Sequence, residues 1–596
     1  MSGQNHWMVR RMRKRQPHQP SKNPWMVFRF ATFRIAIIGI TALLLLSIQA
    51  MLGGEAADGT KAVNSIRLIL PTEPDAVTVN SARVFARQVT QRCAVRVSTE
   101  GSGTLRVSLA IEPGLGTEGF KITSDNSGSI RIIGNDARGL LFGIGKFLHT
   151  SRYDQGGFTP GIWRGTSVPE GSARSLDATA HFMNFYEAAP VPELQAYIED
   201  VALWGANEVS TGFPTWDFTG FDDPGARRSL EHLRALLRAA KASGLQVGLG
   251  ICPNQGFAGA PPETRAQSFP DGLGRRGFFG VNCCPSKPAG QEYLLKLYGR
   301  LFDEFKDVGL DGLCCWPYDE GGCGCADCWP WGSRGFPTLS REVVHAARAR
   351  FPAIKCTLST WCYDTPPAGE WAGLARFLEQ DKSWVDYILA DSHTDFPRYP
   401  LEHGVPGGLP LVNFPEISMY GRTPWGGYGA NPLPARLAAL WKQTQGKLAG
   451  GGPYSEGIYA DINEVICLQL YWHKSRATDD IVKEYLAFEY SPAVVEELAQ
   501  AVRLLEATWL ERGPKSAEAW VLLQKADAKL TPQAKAAWRW RILYLRGQID
   551  NELWRRHDKM EGPVLKAAFD ELTRIYHAEN VHGMPVRPPQ ISLDKP

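Results

Sequence analysis

Between Ser175 and about Trp472 the chain alternates short apolar runs with amphipathic helical stretches, and this alternation limits the fold more than any other feature. The predicted strands are Leu176–Met183, Glu208–Phe213, Leu245–Ile251, Leu313–Pro317, Lys355–Trp361, Val385–Ala390, Leu409–Phe414 and Gly450–Tyr454. Apolar residues at three- and four-residue spacing fill most of the gaps, as in Val191–Trp204, Ser229–Ala242, Gln291–Val308, Leu339–Arg350 and Pro434–Leu448. Eight such units predict an α/β protein built on a (β/α)8 TIM barrel. A doubly wound open sheet is the competing topology. It is disfavoured because no glycine-rich phosphate loop follows the first strand.

The flanks have different patterns. Residues 58–150 read as a small α/β domain. Ser65–Leu70 and Thr104–Ile111 are predicted strands, and Ser81–Arg92 is a predicted helix. Asp125-Asn126-Ser127-Gly128 marks a hairpin, and Asn135 is the expected cap of a helix over Asp136–His149. The Gly- and Pro-rich stretch 151–173 reads as a linker, and 174–472 is the barrel. Residues 473–585 carry helical spacing throughout, over Ile481–Tyr490, Ala493–Glu511, Ser516–Ala528 and Pro532–Arg555, and 586–596 is a Pro-rich tail.

Residues 1–57 read as a signal peptide or signal anchor. Eight Lys/Arg and no acids occupy positions 1–34, an apolar run covers Ile35–Ile48, and Gly53, Gly54, Ala56 and Ala57 follow. The expectation is export to the periplasm or exterior, with membrane contact only through this segment. From residue 58 onward 57 basic residues face 61 acidic ones, so no basic body remains to hold nucleic acid.

In a TIM barrel the chemistry sits at the C-terminal ends of the strands. The fourth predicted strand ends in Trp316-Pro317-Tyr318-Asp319-Glu320-Gly321-Gly322. Two adjacent carboxylates raise one another's pKa, which suits a general acid at neutral pH. Other predicted tips carry Trp361, Tyr363, Asp391, His393, Glu416, Tyr454 and Glu456, with Tyr420 and Trp425 beyond the seventh. Aromatic platforms beside acids suit a sugar, which offers apolar ring faces and hydroxyl edges. On this reading Asp319 and Glu320 are catalytic, and Trp316, Tyr318, Trp361, Tyr363, Asp391, His393, Glu416, Tyr454 and Glu456 bind substrate.

Nine of the 12 cysteines fall between Cys283 and Cys362. Cys323-Gly324-Cys325-Ala326-Asp327-Cys328 reads as a structural cluster with three open forms. It forms disulfides, holds a structural zinc with Cys284, Cys315 or Cys362 as fourth ligand, or remains as buried thiols. No histidine cluster indicates a catalytic metal, and no cofactor motif is present in the sequence.

On these residues the chain resembles exo-acting glycoside hydrolases, a group that includes the family 20 β-N-acetylhexosaminidases and the α-glucuronidases. The resemblance covers most of residues 60–580. Ile132-Ile133-Gly134-Asn135-Asp136-Ala137-Arg138-Gly139-Leu140-Leu141-Phe142-Gly143 looks like the close of the small domain that precedes the barrel in both families. Asp319-Glu320 is similar to the hexosaminidase pair, in which the Asp orients an acetamide and the Glu is the general acid. Trp316, Pro317 and Tyr318 stand where that family has His and Gly-Gly. The resemblance implies hydrolysis of a terminal glycosidic bond with Glu320 as acid and Asp319 as partner, Glu416 or Glu456 serving as base or nucleophile when the substrate lacks an acetamide. A non-catalytic sugar-binding protein on the same scaffold and a uronic-acid-directed lyase are the alternatives.

Overall fold

The computed structural model describes residues 61–179, 184–273, 281–319, 321–418, 430–509 and 511–578. Glu320, residues 1–57 read as a signal peptide or anchor, Tyr420, Trp425 and the Pro-rich tail lie outside them. From Ala62 on, the described residues belong to one compact unit.

The small N-terminal sheet comes first. β1 (Ser65–Ile69), β2 (Arg96–Ser98), β3 (Leu105–Ile111), β4 (Phe120–Ser124) and β5 (Ile130–Gly134) join β8 (Gly165–Ser167) in the order β2-β1-β3-β5-β4-β8. The hairpin between β4 and β5 turns at Asp125, whose carboxylate accepts from the Ser127 and Ser129 amides. Two expectations change here. The cap of helix Ala137–His149 is Asp136, which accepts from the Gly139 amide at 2.9 Å. Asn135 instead accepts from the Gly114 and Leu115 amides, holding the preceding loop. The stretch read as a linker contains β6 (Arg152–Asp154), β7 (Gly157–Thr159) and β8, and β8 pairs with β4. Its glycines and prolines mark the turns between short strands.

The barrel strands are β9 (Ala173–Ala178), β10 (Glu208–Gly212), β11 (Gln246–Ile251), β12 (Gly312–Cys315), β13 (Lys355–Ser359), β14 (Tyr387–Ser392), β15 (Leu411–Pro415) and β16 (Leu448–Gly451), with β17 (Tyr454–Ser455) extending the last. All pair in parallel, and β9 bonds to both β10 and β16, so the sheet closes and the open-sheet topology is excluded. Helices Val191–Leu203, Pro224–Ala242, Pro288–Glu304, Gly335–Arg348, Glu370–Gln380, Pro434–Gln443 and Asp461–Trp472 run between or after the strands. The β14–β15 connection has only a one-turn helix, Tyr399–Glu402.

Register separates the two faces of the barrel wall. A side chain on Gly451 would strike the Tyr471 hydroxyl on helix Asp461–Trp472, so Gly451 faces outward. Gly451 pairs with Arg174, which places Ser175 and Asp177 on the inner face and Leu176 on the helix side. The same parity puts Ser210, Gly250, Cys314, Asp391, Phe414 and Tyr454 inside. The inner layer is therefore small and polar along β9–β12. Leu176, Val209, Val247 and Leu313 are buried on the outer face. This differs from the bulky branched filling usual in such barrels: the room above Gly248 and Gly250 is taken by the side chains of Glu208 and Trp316.

Candidate active site

The rim is assembled by strand ends. β17 pairs with β9 so that Tyr454 lies beside Asp177, and an isolated parallel bridge sets Glu416 beside Tyr454. Three consecutive strands thus present Asp177, Tyr454 and Glu416 on one inner face. Phe414 and Asp391 are paired one step away.

Glu416 is fully buried. Its carboxylate accepts from the Ser418 amide at 2.5 Å and lies 3.0 Å from His393 Nε2. Glu456 is buried too, and its two oxygens accept from the hydroxyls of Tyr454 (2.6 Å) and Tyr459 (3.1 Å). Ser418 links the two acids, because its hydroxyl accepts from the Glu456 amide at 2.8 Å. Arg436 fixes the tips beneath them by donating to the main-chain carbonyls of Glu416 (2.8 Å) and His393 (2.5 Å). Asp391 accepts from the His393 amide at 2.9 Å, which sets the turn that aims the imidazole at Glu416.

Aromatic rings wall this group. Trp361 meets His393 edge-on with centroids 4.8 Å apart, Trp316 packs on Phe414 at 4.6 Å, and Phe414 on Tyr454 at 5.6 Å. Trp316, Trp361, Asp391, His393, Glu416, Tyr454 and Glu456, all singled out from sequence, therefore converge. Tyr318 and Tyr363 do not join them. Their hydroxyls go to Glu370 and to the Gly332 carbonyl, and both rings are buried under the loop after β12. Asp319 follows Trp316, is partly exposed, and has φ +78°.

Asp177 is the rim acid that the sequence reading passed over; Glu208, at the N-terminal start of β10, lies deeper in the barrel. Asp177 keeps some accessible surface and is otherwise enclosed by protein. Burial raises its carboxyl to about 7, against the pull of hydrogen bonds from Thr179 and Ser210. Burial, assisted by the charge of Asp311, brings Glu208 to about 7 as well. The available signal was the strict alternation of Ser175, Asp177 and Thr179 with Leu176 and Ala178, which marks a polar inner face.

A second group of candidate ligands lies beside the rim. Cys284, Cys323, Cys325 and Cys328 are all buried, with their sulfurs within 4.8 Å of one another. No disulfide joins any of the described cysteines.

No sequence family and no curated protein matches this chain. Solved structures do. A family GH115 4-O-methyl-α-glucuronidase with specificity for decorated arabinogalactans matches at 13% identity and TM-score 0.57, over 90% of this chain and 81% of that one. A Clostridium perfringens family 89 enzyme, solved with GlcNAc-α-1,4-galactose, matches at 11% identity and TM-score 0.57. That match spans 84% of this chain and 64% of the longer enzyme. A GH138 enzyme targeting pectin rhamnogalacturonan II matches at 10% identity and TM-score 0.53, over 87% of this chain and 74% of that one. The shared architecture is the closed parallel barrel with its N-terminal α/β region and C-terminal helices.

Proposed function

We propose that this chain is an exported glycoside hydrolase that removes a terminal sugar from a glycan or polysaccharide. The observation that carries the reading is the Glu416–Ser418–Glu456 arrangement at the mouth of the barrel, walled by Trp316, Trp361, Phe414 and Tyr454. Glycosidic cleavage needs one carboxylic acid to protonate the leaving oxygen and a second carboxylate on the opposite face of the ring. Two tyrosine hydroxyls donate to Glu456 and fix the direction of its carboxylate, which suits a base or nucleophile. Glu416, braced by His393 and the Ser418 amide, is the alternative for that role. Glu320, which follows Asp319 in the sequence, takes the acid role with Asp319 as partner. Asp177, protonated near neutrality, is suited to donate a hydrogen bond to a sugar hydroxyl.

The test is a panel of α- and β-linked aryl glycosides and oligosaccharides offered to the full chain; the two structural neighbours named for α-linked substrates make both anomers necessary. Glu456→Gln and Glu320→Gln are each expected to cut turnover by about 10²–10⁴-fold. The Glu320 variant should be less impaired on substrates with good leaving groups. Sugar binding without turnover on any member of the panel would instead make this a carbohydrate-binding protein.

A further inference from the structure

The four buried cysteines beside the rim come from two loops, and their placement goes beyond the hydrolase chemistry. Cys284 closes the long excursion after β11, and Cys323, Cys325 and Cys328 lie on the loop after β12 that also carries Trp316, Tyr318 and Asp319. We propose that Cys284, Cys323, Cys325 and Cys328 hold one structural zinc ion that clamps these two loops together.

Three observations support this. The first is the sulfur spacing. A tetrahedral zinc with Zn–S bonds of about 2.3 Å sets its sulfurs about 3.8 Å apart. The four sulfurs lie within 4.8 Å of one another, and Cys284 Sγ is 3.6 Å from Cys325 Sγ. A disulfide would need about 2.05 Å between partners.

The second is the donor shell. The Ser286 hydroxyl lies 3.0 Å from Cys284 Sγ and 3.3 Å from Cys325 Sγ, so one side chain bridges two of the four sulfurs. A hydroxyl shared between two sulfurs orients them, as outer-shell groups do around bound metals. The Arg334 guanidinium adds positive charge nearby, donating to the carbonyls of Ala326 and Trp329.

The third is that the two loops are already shaped to meet. Asn254 is fully buried and bonds to the Cys283 carbonyl (3.1 Å), the Gly322 carbonyl (2.8 Å) and the Gly322 amide (2.9 Å). A Cβ on Gly324, between two of the ligands, would lie 2.0 Å from the Ser268 carbonyl oxygen, so only glycine admits this approach. Of the three fourth ligands open from sequence, the fold selects Cys284; Cys315 instead faces Cys356 across β12 and β13. The ion is structural, because all four positions around it are taken by protein.

The full chain, purified in mild detergent without chelator or added reductant, is expected to carry one zinc per chain by elemental mass spectrometry. Exchange for Co²⁺ is expected to give thiolate-to-cobalt charge-transfer absorption and the strong visible bands of a tetrahedral site. Cys328→Ser and Cys284→Ser should lose the zinc, while Cys467→Ser, a buried cysteine outside the cluster, should keep it. Because a chain lacking a clamp can fail to fold, the deciding measurement uses the unaltered protein. Its zinc should be released by an organomercurial in step with modification of these four thiols. Zinc-supplemented protein that carries no metal, a disulfide between any two of the four in peptide maps, or stoichiometric iron in place of zinc would each overturn the proposal.

Discussion

Asp319 adopts φ +78°, and Cys362, after the next strand, adopts φ +65°. For residues with a side chain this region is costly, and such outliers gather at functional sites. Asp tolerates it better than Cys because its short carboxylate can bond locally. These two positions also show how far the rim was legible from sequence. Alternation along a strand assigns faces only while the strand lasts. β12 ends at Cys315 and β13 at Ser359, so Trp316 and Trp361 keep the inward parity. Beyond them the chain turns, and Tyr318 and Tyr363 go to Glu370 and Gly332 instead of the cleft. Glycine at position 319 would relieve the backbone but would add freedom to the unfolded chain, two effects of about 0.5–1 kcal/mol that nearly cancel. Asp319→Gly should therefore melt within a few degrees of the parent. If the carboxylate touches substrate, turnover should fall by about 10²-fold. Unchanged turnover at unchanged melting temperature would remove Asp319 from the catalytic set.

At the scale of elements the sequence was more informative, because each strand and helix has its own period. β10 starts at Glu208 and β11 ends at Ile251, as expected, while the helix expected over Pro532–Arg555 breaks at Ala537 into Pro532–Ala536 and Trp538–Arg555. Packing between helices was not legible, since it depends on charges far apart in the chain. Arg539, on helix Trp538–Arg555, donates to Asp461 (2.8 Å) on the last barrel helix and to Asp200 (2.9 Å) on the first. Asp200 also accepts from Arg87 of the N-terminal region at 2.7 Å, and Glu489 lies 3.8 Å from Arg539. Three acids thus meet around one buried guanidinium, and Arg87 joins them through Asp200, so all three regions are tied together. Removing one partner of a buried pair leaves the others uncompensated, at a cost of about 3–5 kcal/mol. Arg539→Met is expected to lower the denaturation midpoint accordingly. Adding Asp461→Asn should recover part of the loss, because one stranded charge disappears. A single variant as stable as the parent would mean that the hub contributes nothing net.

Across the whole molecule, acids held neutral in the fold make stability depend on pH. Burial raises Asp177 and Glu208 to about 7, and it pushes Glu464 well above the carboxylate range, helped by the charges of Asp177 and Asp461. Neither oxygen of Glu464 meets a hydrogen-bond donor among the described residues, consistent with a neutral group. In the unfolded chain these acids ionise near pH 4. Between about pH 4 and 7 the folded state therefore binds more protons than the unfolded one, and stability falls as pH rises. Buried His149 acts in the opposite sense. It stays neutral in the fold, its pKa pushed well down by desolvation, while the unfolded chain protonates it below about 6.5. Burial alone would raise Glu484, but Lys146 and Arg476 hold it down to about 2, so its contribution is lost as pH falls from about 5 toward 2 and touches only the acid edge of this window. The contribution of one acid is isolated by comparing slopes. Relative to the parent, Asp177→Asn should remove up to one proton from the dependence, a slope change of up to about 1.4 kcal/mol per pH unit between pH 4.5 and 7. Above pH 7.5 the two slopes should converge, because Asp177 is then ionised in both states. Denaturation midpoints at half-unit pH steps measure this, and parallel curves through pH 4.5–7 would show that Asp177 is already ionised in the folded cleft.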